Sequence, residues 1–387
     1  MRTVKRNPFL AGVCAVLGGV SLVVSTASAE VTSDRAAGLV VFPKLVFDGA
    51  NGVDTEIQLS NTSNEQIKVR CFYVNANGHC SNNPEFVCNA APDCRPFGIG
   101  GQCIPGWQEI DFEFTMSPKQ PIGWNLSTGA RFLPLSDLGL NEGSIPGASE
   151  DPFRGELKCF QVGPDNAPVD RNDLKGEATI VTSADDLLDS RSYNAIGIPA
   201  FEGANDGDNV LRLGEEYSAC PSYLILDHFF EDAQEPIDDA FVRTDITLVP
   251  CSENFDLQNA ALFETTLQFL VFNEFEQRLS ASIKTTCFKE IGLTDIGLGV
   301  DRPFEETTQT SNDKRSIFSV YVQGTLTGQT RIRAVDDDSE THGNGFLGVA
   351  EEFHREDETD LTSVQGSAAF NIHQSGIKDR VDLITVP

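Results

Sequence analysis

The sequence predicts an all-β protein: two tandem immunoglobulin-like, Greek-key β-sandwiches, the first with a disulfide-rich loop insert. Three observations lead there. Apolar residues recur with period two in short segments, turn signals separate those segments, and nine cysteines behind a secretory-type leader read as disulfides. With 387 residues, 40% of them hydrophobic and 22% charged, the chain is long enough to bury two cores. The expected division is a leader over 1–29, a first sandwich over 30–201 with its insert at 77–106, a linker at 202–209 and a second sandwich over 210–387.

The leader has the three parts of a secretory signal. Arg2, Lys5 and Arg6 precede an apolar stretch from Phe9 to Val24, and Ala27-Ser28-Ala29 supplies small residues for cleavage after Ala29. Val13 stands where a lipoprotein box before Cys14 needs a small residue. No later stretch reaches the roughly 18 apolar residues of a membrane span, so the expected location is periplasmic, secreted or at the cell surface.

The first expected strand is Val40–Phe47. Val53, Thr55, Ile57 and Leu59 then alternate with Asp54, Glu56, Gln58 and Ser60, and Ile67, Val69 and Cys71 with Lys68 and Arg70. The polar stretch Asn61 to Glu65 closes a hairpin between them. Phe112–Met116, Gly155–Val162 and Glu177–Thr182 complete the first unit, with a long Pro/Gly-rich connection over Pro118–Pro152. In the second unit the strands are Tyr223–Phe230, Ile246–Val249, Thr265–Phe272, Leu279–Cys287, Ile317–Val322, Thr330–Val335 and Ala368–Ile372. A helix capped by Ser183 is expected at Ala184–Asp189, and a helical turn near Ala350–His354.

Four short matches recur in the same order, which predicts an internal duplication. Val41-Phe42-Pro43, Thr55 to Leu59, Cys71-Phe72 and Gly176 to Ile180 correspond to Leu248-Val249-Pro250, Thr265 to Phe269, Cys287-Phe288 and Gly366 to Phe370.

Nine cysteines follow the leader. Cys80, Cys88, Cys94 and Cys103 crowd into an insert with too few apolar residues for its own core, and two local disulfides are expected to hold it. The spacing lacks the close Cys-x-x-Cys pair of a zinc knuckle. Cys71 is expected to pair with Cys159 and Cys220 with Cys251, leaving Cys287 odd.

Charge excludes partners more readily than it names them. The 58 Asp and Glu against 28 Lys and Arg give −30, contrary to the positive footprint that nucleic acid or an anionic membrane requires. Calcium is the one cofactor that the composition favours, with oxygen ligands at Asp206 and Asp208 and at Asp336, Asp338 and Glu340. Neither cluster matches an EF-hand, since Thr341 and Leu347 fall where Gly and Glu belong. A solvated acidic turn is therefore the simpler reading of each.

Catalytic signals are weak. Gly343 to Gly348 fits G-x-G-x-x-G, but without the βαβ setting a dinucleotide site needs, it reads as a Gly-rich turn. There is no G-x-S-x-G and no H-E-x-x-H. His228, His342 and His354 lie near acidic residues at spacings that force no convergence, and His79 and His373 form no constellation. Asn61-Thr62-Ser63 and Asn125-Leu126-Ser127 are formal glycosylation acceptors. The expected function is an exported non-enzymatic module that is structural or binds a protein or carbohydrate. The alternatives are a hydrolase with acidic catalytic loops, and an assembly subunit that pairs through a strand edge. A carbohydrate platform would draw on Trp107, Trp124, Tyr73, Tyr193, Tyr217, Tyr223 and Tyr321.

Overall fold

The computed structural model describes residues 31–88, 91–104, 108–130, 132, 145–184, 187–235, 239–256, 265–285, 288–296, 316–335, 345–356, 363–376 and 381–387. The leader, Trp107, Cys287, His342 and the 336–340 cluster lie outside these residues. The regular structure of the described chain is almost all strand, in several antiparallel sheets.

In chain order the first strands are β1 (Leu39–Phe47), β2 (Val53–Asn61), β3 (Ile67–Asn75), β4 (Gly78–Cys80), β5 (Asn83–Cys88), β6 (Cys103–Ile104), β7 (Gln108–Met116), β8 (Pro121–Asn125), β9 (Phe153–Val162), β10 (Leu174–Ala184), β11 (Leu187–Asn194) and β12 (Ile196–Ile198). A five-stranded sheet, ordered β12-β1-β9-β3-β7, faces a four-stranded sheet ordered β11-β10-β2-β8. Alternation does what period two requires: Ile57 and Leu59 of β2 point inward, while Asp54, Glu56 and Gln58 point away from the core. Trp124 of β8 is fully buried, and its indole N–H donates to Tyr73 Oη of the facing sheet at 2.6 Å. Phe112 and Phe114 pack their rings against it edge-on.

The second set comprises β13 (Val210–Leu213), β14 (Tyr223–Phe229), β15 (Phe241–Pro250), β16 (Glu253–Asn254), β17 (Thr265–Asn273), β18 (Arg278–Thr285), β19 (Lys289–Gly292), β20 (Thr327–Val335), β21 (Phe346–Arg355), β22 (Val364–Asn371), β23 (His373–Ser375) and β24 (Asp382–Thr385). Sheets ordered β18-β17-β20-β14-β23 and β19-β15-β21-β22 enclose a second core around Leu226, Leu248, Phe269, Phe318 and Ile332.

A third core joins the two pairs. Outward side chains near the middle of β1, β3 and β9 are buried; Leu39, Val41, Phe72 and Phe160 pack with Leu211, Phe255 and Ile384. The small sheet β13-β24-β16 lies in this seam, and Phe72 stacks on Phe255 with ring centroids 4.4 Å apart. The central strands of the β12-β1-β9-β3-β7 sheet are thus covered on both faces, where continuous apolar runs replace alternation, while the edge strand β7 keeps its outer face exposed. Residues 202–209 connect β12 to β13 without regular structure, beside this seam rather than at a bare joint.

Charges buried in the seam are paired across it. β1 has one extra residue between Phe42 and Leu45 relative to β9, where Pro43 offers no N–H to the ladder. The bulge exposes the Lys44 backbone, whose N–H donates to Tyr193 Oη at 3.1 Å while the Tyr193 hydroxyl donates to Lys44 O. The Lys44 ammonium reaches Glu290 and Glu351 of the second pair, and Arg191 also binds Glu351 at 2.7 Å. Further along, Lys158 lies 2.8 Å from Glu156 and 2.6 Å from Glu253 of β16.

Several expectations require correction. The Ala184–Asp189 helix is instead part of the β10–β11 hairpin: Ser183 N–H donates to Gly52 O at 2.8 Å and joins the sheet rather than capping a helix. Ala350–His354 lies in β21, paired with β15 and β22. Ile317–Val322 is not a strand, because Ser319 Oγ accepts Tyr321 N–H and starts the short helix α1 (Val320–Gln323), which Gly324 ends at φ 68°. The Pro118–Pro152 connection contains β8. The repeated segments also diverge in space: Gly176 to Ile180 pairs with β2, whereas Gly366 to Phe370 pairs with β21, in the sheet opposite β17.

Lys158→Ala strands two carboxylates in the seam and is expected to lower unfolding free energy by about 3–5 kcal/mol. Replacing Lys158, Glu156 and Glu253 together by Met, Leu and Leu should recover most of it, as measured by chemical denaturation. A loss under 1 kcal/mol for Lys158→Ala would refute the burial of this cluster.

Candidate functional site

The cysteines form four pairs among the described residues. Cys71 and Cys159 face one another in register on β3 and β9, so their bond links neighbouring strands of one sheet rather than two sheets. Cys80–Cys94 and Cys88–Cys103 form the interior of the insert, and Cys220–Cys251 packs in the seam. Gly345 passes so close to the last pair that an added Cβ would lie 2.5 Å from Cys220 Cβ. Gly345 and Gly348 thus serve close packing at the start of β21, with a strand where a dinucleotide site would need a helix.

His79 has a constellation that spacing did not reveal. Its Nε2 lies 2.9 Å from Glu150 Oε2, while Asn75 and Asn77 amides donate to Glu150 Oε1 at 2.5 and 2.6 Å. Glu150 therefore fastens the base of the insert to the sheet pair. The only forewarning was polar residues crowded at the end of an otherwise apolar strand.

Asp206 and Asp208 do converge, on Arg212. Its guanidinium lies 3.0 Å from Asp206, 2.6 Å from Asp208 and 3.4 Å from Glu216. The guanidinium is thus the cation that these carboxylates pair with, and hydrogen bonding to it holds the Asp208 carboxyl below its ordinary range.

Of the expected platform aromatics, Tyr73, Trp124, Tyr193 and Tyr217 are core residues; Tyr223 is half-buried and Tyr321 exposed. Each buried hydroxyl or indole has a partner, as with Tyr217 Oη, which donates to Val169 O at 3.3 Å. His354 pairs with Glu352 at 3.0 Å, and His373 is exposed on β23.

An open groove of about 630 Å³ lies on the second sheet pair. Asp227, Phe229, Phe272, Glu274 and Glu352 line it, with His228 at its inner wall. Burial lowers the His228 pKa to about 4; the ring contacts Thr330 Oγ1 and Phe229 O, both at 2.8 Å. Glu274 Oε1 accepts from Thr327 Oγ1 at 2.9 Å and from its N–H at 3.1 Å, and these bonds hold its carboxyl below the ordinary range. The carboxyls pushed well up, Glu231 and Glu253, are buried outside the groove lining. Glu231 Oε1 accepts Thr244 N–H at 2.7 Å, and burial favours its neutral form.

Comparison with protein families finds no match, and comparison with curated proteins finds none.

Because the folded His228 pKa lies below the unfolded value, its contribution to stability is complete above about pH 6.5 and is lost as pH falls toward 4. An imidazole NMR titration is expected to give a midpoint near 4, and His228→Gln to reduce the acid-side loss of stability by about 3 kcal/mol. A midpoint above 6 would contradict the buried, neutral ring.

Proposed function

We propose that this chain is an exported, non-enzymatic binding module built as two tandem immunoglobulin-like sandwiches. The observation that carries the reading is where its chemistry is spent. Lys44, Lys158, Arg191, Glu290 and Glu351 are committed to ion pairs across the seam. In the open groove the hydrogen bonds from Thr327 lower the Glu274 carboxyl, opposite to the raised acid that a glycoside-cleaving pair needs. Four cysteine pairs support an oxidising compartment, the destination that a leader cleaved after Ala29 would give. The immunoglobulin-like label is supported by face-to-face antiparallel sheets, and the first unit departs from it in having Cys71–Cys159 within one sheet.

The hydrolase reading draws on the same groove, where three carboxylates and two Phe rings converge. A panel of polysaccharides and ester substrates decides between them. Fractionation and N-terminal sequencing are expected to recover an exported protein starting at Glu30, with no turnover on the panel. Turnover abolished by Glu274→Gln or Asp227→Asn would establish the enzyme instead.

A further inference from the structure

The insert displays apolar groups that its own folding does not require. Two disulfides fill its interior, yet Phe86 and Phe97 are each 40% exposed with ring centroids 4.7 Å apart. Ile104 is 49% exposed, and Ile99 is fully exposed between glycines. On the same short helix as Phe97, Arg95 is exposed and has no ion pair among the described residues, in a chain with 58 acidic groups. The disulfides hold this surface in shape, so presenting it costs little ordering entropy on binding.

A complementary surface lies beside the groove of the second sheet pair. Phe275 is 66% exposed, Tyr321 51% and Leu326 37%. The segments that carry them are tied together, with Asn273 Nδ2 donating to Gln323 O at 3.3 Å and Thr327 N–H to Glu274 Oε1 at 3.1 Å. The adjoining groove is bordered by Asp227, Glu274 and Glu352. One surface is apolar with a single cation, the other apolar with a border of anions.

We propose that the two surfaces are the halves of one contact between copies of this chain: the disulfide-held insert of one copy docks at the acidic groove of the next, with Arg95 facing its carboxylates. The inference rests on the non-enzymatic reading of the groove. Both halves are on one chain and differ from each other, so the contact is heterologous and propagates head to tail into a ring or a filament. Exposed aromatic groups with an arginine beside them match the composition enriched at protein interfaces. Self-repulsion from a net charge of −30 per copy opposes association at low ionic strength, so screening salt promotes the contact until the Arg95 pairing is itself screened.

Sedimentation velocity on the full exported chain tests this across a wide concentration range at moderate salt. The wild type is expected to form a ladder of oligomers, and Ile99→Asp and Phe275→Asp each to weaken association about tenfold or more. Both side chains are exposed, so unchanged melting temperatures show that the variants fold. An equimolar mixture of the two variants is expected to give dimers and nothing larger, because one retains the groove and the other the insert surface. Arg95→Glu should weaken assembly, and adding Glu274→Arg on the same chain should restore the ladder. A wild type that stays monomeric throughout, or a variant mixture that forms no dimer, overturns the proposal. So does binding to phosphatidylcholine vesicles that Ile99→Asp abolishes while oligomers persist, because the exposed surface is then a lipid contact. Failure of the underlying reading is separable: turnover lost in Glu274→Gln would mark the groove as an active site whatever the sedimentation result.

Discussion

The fold depends on one constraint: a β-sheet covered on both faces must neutralise every charge it carries inward. Lys44 and Lys158 lie on β1 and β9, where solvent is replaced by a second sheet pair. Isolated burial would push either ammonium toward its neutral form. Burial is indeed the largest influence on both, yet the facing carboxylates outweigh it and keep the lysines above their ordinary pKa. Around Lys158 one cation faces two acids, so burial and the neighbouring Glu156 drive Glu253 well up and toward its neutral form. Stability from that proton is present at acid pH and declines as pH rises above the ordinary carboxylate range.

The same constraint explains why the two halves do not behave as beads on a linker. Each pair of sheets has its own core, but the residues completing the seam come from both ends of the described chain: Leu39 and Val41 early, Ile384 and Val386 late. Edges are handled similarly. β11 and β22 approach through side chains, with Ser367 donating to Asp189 and Asn371 Nδ2 to Asn194 O at 2.8 Å, rather than through a ladder. Each edge is covered without the two sheets merging.

Much of the strand content was legible in the sequence, because half-buried strands such as β2 and β17 have one wet and one dry face. The cysteine pairs were legible for a related reason, since disulfides replace a core that the insert does not have. The seam was not. In β9, Glu156 and Lys158 alternate with Leu157 and Cys159, and that pattern is the same whether the polar face meets water or a buried counter-ion. Ala184–Asp189 misled because a local cap signal competed with sheet pairing that only tertiary structure supplies. The groove assembles Asp227, Glu274 and Glu352 from three strand regions, and no sequence interval encodes that meeting.

The reach of the Lys44 bridge bears on the order of folding. Lys44 and Glu351 are 307 residues apart, and β13 must wait for β24 before its strand is paired. Each sheet pair closes around contacts largely of its own, whereas the seam requires both to be nearly finished. It is therefore the last region to become dry as the chain folds. Until then Leu39, Phe72 and Phe160 form an exposed apolar surface, and a chain stalled at that stage is the one most prone to aggregate.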